Sequence, residues 1–475
     1  MKRDDVRRGS RARGASPRLE SLEGRLLLYA ANGGAWTHPE RITFSLVPDG
    51  TDTGGTPSVL FQSLNSQLGT NAWQVQFQKA AAIWEQVANI NLVQVSDNGA
   101  ALSSLGNQQG DSNFGDIRIA GASLGSGTLA EAFTPPPLNG GTLACDIEIN
   151  TAQTWGSSGY DLETVAIHEF GHALGMDHSA IYSADMYAYY VGQKQALTAD
   201  DISGIQSIYG TRQPDQFSIT PNHTATTATD ITSSINVLSQ ISLSSLDIQT
   251  ANDYHYFKVT VPASTTGTMI VTMQSTNLSE LSPRVQVYNS SLQTQGYATA
   301  VGAFGATVTT TIPNVSSGQV YYIRATAAGG GMTGAGVYGL QVNFGTGTQA
   351  AIAPPNTTVA SSPDRGGGSG NDSIVGGNSG GPLGNGIIQI GTLTGKGDAL
   401  MILPRGGRST ATATSGLVRS SSPTDATLLV APTTSTGLLD AAIDALHNGS
   451  ATQHASLGKP GGTHRSGHHR PHHHS

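Results

Sequence analysis

Apolar and polar positions follow two different periods along the first half of the chain. In RITFSLV (residues 41–47) every second residue is apolar, which predicts a half-buried strand, and DIRIA (116–120) repeats the pattern. In WQVQFQKAAAIWEQVA (73–88), Val75, Phe77, Ala81, Ile83, Trp84 and Val87 fall on one stripe at helical spacing. Residues 32–212 therefore read as one mixed α and β unit. The stretch 213–232 has no sustained period and several breakers, so it reads as a linker. From 233 to 345 only the two-residue period remains: DYHYFKVTVP (253–262), MIVTM (269–273), RVQVY (284–288), YYIRA (321–325) and YGLQVNF (338–344) are strands between Gly, Ser and Thr turns. This predicts a small β-sandwich, with His255 on the apolar face of its strand as a core or rim residue. The expected fold class is α+β, followed by an all-β sandwich domain, with disordered termini.

Composition changes the picture at the ends. Glycine contributes 60 of 475 residues and charged residues only 12%, against a usual charged share of about 25%. Residues 346–475 are mostly Gly, Ser, Thr, Pro, Ala and His, too poor in large apolar side chains to offset the entropy of ordering them. Two islands interrupt this tail: GIIQIGTLTGKGDALMILP (386–404), a hairpin candidate, and GLLDAAIDALHNG (437–449), a one-faced helix candidate too short to stand alone. Eight of the 14 histidines lie at or beyond His447, in a solvated tract with capacity for loose metal binding.

The net charge is −8, and the basic residues crowd into the first 25 positions of segment 1–31 instead of marking a folded face. This argues against a nucleic-acid partner. A single cysteine, Cys145, excludes an intramolecular disulfide framework and reads as a small buried residue. No apolar run approaches the roughly 20 residues of a transmembrane helix.

Candidate chemistry concentrates in HEFGHALGMDH (168–178). On a helix, His168 and His172 project from one face one turn apart, which suits two imidazoles converging on one ion. Gly175 can adopt a left-handed conformation that ends the helix and turns the chain back, so that His178 can supply a third nitrogen. Three neutral imidazoles at about 2.0–2.1 Å leave a fourth position on zinc open to water, whose pKa falls to about 7. Glu169, beside the two helical histidines, is placed to take the water's proton and pass it to a leaving amine.

HExxHxxGxxH with its flanks, YDLETVAIHEFGHALGMDHS, ADMYAYY and LTADDISGIQSIYG, resembles the metzincin zinc peptidases of the matrixin branch, over about residues 36–210. That resemblance implies a twisted mixed sheet with an active-site helix and a C-terminal helix, and one catalytic Zn2+. It also implies a methionine turn at Met186 and substrate added as a strand along GTLAEAF (127–133) through the backbones of Leu129 and Ala130. Tyr190 matches the family's wall tyrosine for the residue after the cut bond, although Ala188 stands where a proline is usual. Glu131 and Glu148 replace histidines of the family's second zinc, which should be lost or exchanged for a harder cation. Asn150 and Gln153 replace acidic calcium ligands, which leaves Ca2+ optional. Asp200 and Asp201 fall near the start of the last helix, where carboxylates serve the helix dipole. No Pro-Arg-Cys-Gly latency segment is present.

Two further resemblances extend the reading. ANDYHYFKV, VQVYNSS and SGQVYYIRA are similar to the bacterial pre-peptidase C-terminal domain, an accessory module of secreted peptidases. RLESLEGRLLL (18–28) resembles an export segment of extracellular bacterial proteins. Together they imply an extracellular or cell-surface zinc endopeptidase acting on protein or peptide substrates, with matrix or surface association through the β-domain as an open role. Two rival readings stand beside it: a non-catalytic binding or matrix protein that keeps the zinc domain as a scaffold, and a narrow self-processing peptidase. Intact Glu169 opposes the first, because a binding module has no use for a general base.

Overall fold

The computed structural model describes residues 31–263, 265–329 and 334–361, and the backbone of 400–402. The basic segment up to residue 30, the 437–449 island and the His-rich end lie outside the described residues.

The first unit is built from β1 (Ile42–Leu46), α1 (Leu60–Leu68), α2 (Gln74–Glu85), β2 (Leu92–Val95), β3 (Asn107–Gln109), β4 (Ile117–Ala122), β5 (Thr128–Ala132), β6 (Ile147–Asn150), α3 (Leu162–Ala173), β7 (Tyr189–Tyr190) and α4 (Ala199–Tyr209). Strands β2, β1, β4 and β6 run parallel in that spatial order, and β5 adds antiparallel to β6. The parallel strands are buried on both faces, since β1 and β4 carry no exposed residue. Helix α3 is buried along its whole length. Phe170 meets Phe44 edge to face with ring centroids 5.4 Å apart, and the Trp84 indole donates to the Ile167 carbonyl at 3.0 Å. These contacts lock α3 between the sheet and α2.

The second unit carries β8 (Thr229–Asp230), β9 (Gln240–Ile248), β10 (Tyr254–Thr260), β11 (Thr266–Gln274), β12 (Pro283–Asn289), β13 (Thr294–Thr299), β14 (Thr307–Ser316), β15 (Val320–Ala327) and β16 (Gly336–Asn343). They form a five-stranded sheet, β13-β12-β15-β10-β8, and a four-stranded sheet, β14-β11-β16-β9. One shared core includes Phe257, Val271, Val287, Ile323 and Leu340. His255 is buried there, its Nδ1 3.1 Å from the Tyr338 hydroxyl.

Two stretches are more ordered than their composition suggests. Within 213–232, read above as a linker, Asp215 and Asn222 are buried, Ile231 enters the second core, and β8 pairs with β10. Asp215 accepts from the Phe217, Ser218 and Asp247 amides. Packing of this kind is irregular and leaves no period to read. Within the tail, Ile352 is buried and exchanges two backbone bonds with the Gln274 side chain, and β17 (Val359–Ala360) returns to pair with β3. In the 386–404 island, read above as a hairpin candidate, only β18 (Leu400–Ile402) is described, and it pairs with β5 and β7 of the first unit; the rest of the island lies outside the described residues.

The two units meet through buried charge. The Arg212 guanidinium grips Asp247 with two bonds of 2.8 Å and donates to the Glu85 and Ile90 carbonyls at 2.8 Å. Glu85 accepts from the Leu92 and Glu280 amides, and Glu280 from the Gln94 amide. Burial pushes the Glu280 carboxyl up to about 7. An unfolded glutamate titrates near 4.3, so between these values the folded chain holds a proton that the unfolded chain releases. This contribution to stability is complete below about pH 4.3 and is lost as pH rises through about 7. Glu280→Gln removes the penalty, so the variant's melting temperature should exceed that of the wild type by more at pH 8 than at pH 5. Parallel melting-temperature profiles for the two proteins across that range would refute this.

Candidate metal centre and cleft

Helix α3 begins where Asp161 caps it: the carboxylate accepts from the Thr164 amide at 3.0 Å. It ends at Gly175, whose φ of +100° reverses the chain and brings the Met176 amide to the Gly171 carbonyl at 2.9 Å. A side chain at Gly175 would also strike the Gly34 carbonyl oxygen. That reversal carries His178 back over the helix. The rings of His168, His172 and His178 then converge, with centroids 4.7, 5.3 and 4.9 Å apart and one nitrogen from each within 4.8 Å of the others. Among the described residues this is the one cluster of three or more metal-competent side chains. Glu169 is fully buried on the same helical turn.

Second partners orient the rings. The Nδ1 of His168 lies 2.7 Å from the Asp185 carbonyl and that of His172 lies 2.9 Å from the Met176 carbonyl. A carbonyl only accepts, so both Nδ1 atoms carry the proton and both Nε2 atoms present lone pairs. Those two Nε2 atoms face each other at 3.1 Å, an arrangement that repels unless a cation draws both. Burial, with the adjacent His172 and His178, holds His168 well below its ordinary range, and burial pushes His178 down to about 4. Protonation is therefore a poor way to relieve that repulsion. The donor set fits a divalent ion that accepts neutral imidazoles, zinc foremost.

Met186 lies beneath this group, fully buried, against the place where a side chain on Gly171 would project. Its turn is held from α4: Asp201 accepts from the Asp185 and Met186 amides at 3.0 and 3.1 Å while it also closes the capping box with Thr198. Asp200 accepts from the Ser179 hydroxyl. Service to the helix start was legible in the sequence for both acids. The reach of Asp201 to the turn that aligns His168 was not, because it depends on a tertiary contact. Trp36 was missed for the same reason: its indole donates to the Ala173 carbonyl at 3.0 Å and pins the helix end.

The remaining predicted positions lie on β5, on or beside β6 and in the segment after Met186. Leu129 and Ala130 are buried in β5, and the Tyr190 hydroxyl accepts from the Asp161 amide at 3.1 Å. Glu131 and Glu148 stand directly opposite each other across β5 and β6. The Asn150 amide donates to the carbonyls of Leu124, Gly125 and Thr128, and Gln153 to those of Ser126 and Thr128. These amides gather the loop's carbonyl oxygens, work that a bound cation could otherwise do. Cys145 is buried, and burial pushes its thiol up.

Residues 58–210 match the Matrixin family. The chain is 36% identical over 148 residues to karilysin of Tannerella forsythia, covering 31% of this chain and 30% of that protein. It is 31% identical over 191 residues to the hatching enzyme of Paracentrotus lividus, covering 39% and 28%. With the interstitial collagenase of Equus caballus it shares 36% over 143 residues, covering 29% and 28%. The chain thus spans less than a third of the length of these curated relatives.

Removing the support under the site should loosen it. In Asp201→Ala, the Asp185 and Met186 amides lose their acceptor, and zinc affinity should fall about 10- to 100-fold, the usual cost of losing an outer-shell partner. Competition against a chromophoric chelator measures this; unchanged affinity in a folded variant would show that Asp201 serves α4 alone.

Proposed function

We propose that the matrixin domain at residues 58–210 makes this chain a zinc-dependent metalloendopeptidase, with His168, His172 and His178 holding the ion and Glu169 as general base. The observation that carries this reading is the convergence of three imidazoles, two with their proton committed to a carbonyl, beside a fully buried glutamate. No helix among the described residues is long and apolar enough to cross a membrane, and the family's substrates are proteins. When bound, zinc supplies an acidified water and a Lewis acid for the scissile carbonyl.

The chain's own residues do the rest. Glu169 takes the proton of the attacking water and returns it to the amine as the C–N bond breaks, leaving a carboxylate and a free amine. Glu169 is buried on the turn of α3 between His168 and His172, which holds its carboxylate away from bulk water. The backbones of Leu129 and Ala130 receive substrate as an added strand, and Tyr190, fixed to the start of α3, bounds the space for the residue after the cut bond. Met186 supports the rings from below. Calcium is optional in this reading, because Asn150 and Gln153 bind the loop carbonyls themselves. The two-sheet unit is read as an accessory domain of pre-peptidase C-terminal type, and the setting as extracellular or cell-surface.

Casein incubated with the full chain should be cut, and a zinc chelator should stop it. Glu169→Ala should lower the rate by about 10²- to 10⁴-fold while metal analysis still finds one zinc per chain. A metal-loaded variant that cuts as fast as the wild type would overturn the assignment of Glu169.

A further inference from the structure

Strand β5 offers its outer edge to the cleft, and an open edge is a template for another strand. That edge is already filled. β18 runs antiparallel to β5, pairing Leu400 with Ala130 and Met401 with Thr128. On its other side it runs parallel to β7, pairing Met401 with Tyr189 and Ile402 with Tyr190. The tail therefore lies between the two segments assigned above to substrate. β5 and β7 run in opposite directions, so a strand between them is antiparallel to one and parallel to the other, and β18 takes the antiparallel ladder on β5 and the parallel one on β7.

The path of the chain allows this. Past the second unit it returns to the first, where β17 pairs with β3 and the Ser361 hydroxyl donates to the Gly106 carbonyl at 2.6 Å. The 38 residues from 362 to 399 follow. At about 3.3 Å per extended residue they reach far more than the width of a domain.

We propose that Leu400–Ile402 is a built-in ligand of the substrate cleft. It lies on the side that follows the cut bond, so the full chain shields its own active site and foreign peptides compete with the tail. The inference rests on the reading of β5 and the segment after Met186 as the substrate track. Three residues make only a few ladder bonds, each worth about 1 kcal/mol net, so the docking is reversible. Tethering raises its local concentration to the millimolar range, and shielding of about tenfold is the expected order.

The test uses the full chain carrying Met401→Pro. Proline has no N–H and does not fit a strand paired on both sides. Cleavage of a fluorogenic peptide should rise about tenfold, mainly through a lower apparent KM. In a zinc-loaded Glu169→Ala background, which cannot cut itself, hydrogen exchange at the β5 and β7 amides should be about tenfold faster with Met401→Pro than without it. Equal exchange with and without the proline would overturn the inference, even where both active forms cut the reporter. Faster exchange with no reporter cleavage by any form would leave the docked tail standing and defeat the peptidase reading instead.

Discussion

The site depends on two hydrogen bonds that involve no metal: His168 to the Asp185 carbonyl and His172 to the Met176 carbonyl. Each fixes a tautomer, and together they turn two lone pairs toward a common point. Two carbonyls from loops must therefore sit at the correct height against two rings on one helix. Gly175 sets the Met176 carbonyl by reversing the chain at a positive φ, and Asp201 sets the Asp185 carbonyl by gripping the neighbouring amides. Trp84 and Trp36 hold the helix itself at its middle and its end. Gly171 leaves the room that Met186 fills. Residues remote from the chemistry thus act by placing the backbone oxygens that aim the rings.

The same dependence explains what could be read from the chain. Helix α3, its histidines and the turn at Gly175 were legible because spacing along a helix fixes direction, and glycine marks a reversal. Strands β1, β4 and β10 were legible because apolar and polar residues alternate along them; in β10 one face is buried, whereas in β1 and β4 the polar alternates Thr43, Ser45 and Arg118 are buried too and are kept by side-chain hydrogen bonds. The packing of Asp215, Asn222 and Ile231 was not, because an irregular segment held by side chain to backbone bonds has no period. β18 was hidden for a related cause: three residues in a Gly-rich tail show a local preference but cannot show a partner, and its partners lie more than two hundred positions away.

Association of the two units also departs from the image of domains joined by a spacer. Arg212, the last residue of the first unit as drawn from sequence, spends its guanidinium on Asp247 of β9 and on carbonyls at the end of α2. Glu85 and Glu280 approach each other at the same seam, with backbone amides as their partners. Buried ionic contacts of this sort add little net stability compared with apolar packing, but a wrong alignment would strand a charge. The seam is therefore better suited to fixing one orientation between the units than to strengthening their contact.

An edge strand that must accept substrate cannot be blunted by the usual means. In the proposed reading β5 receives substrate, and a proline, a bulge or an inward charge on it would protect the chain from edge-to-edge association and also destroy the ladder proposed for substrate. A short strand from the same chain meets both demands, since it satisfies the edge at rest and yields to a longer peptide that makes more bonds. Its weakness is part of the design, because a strand long enough to bind tightly would not leave.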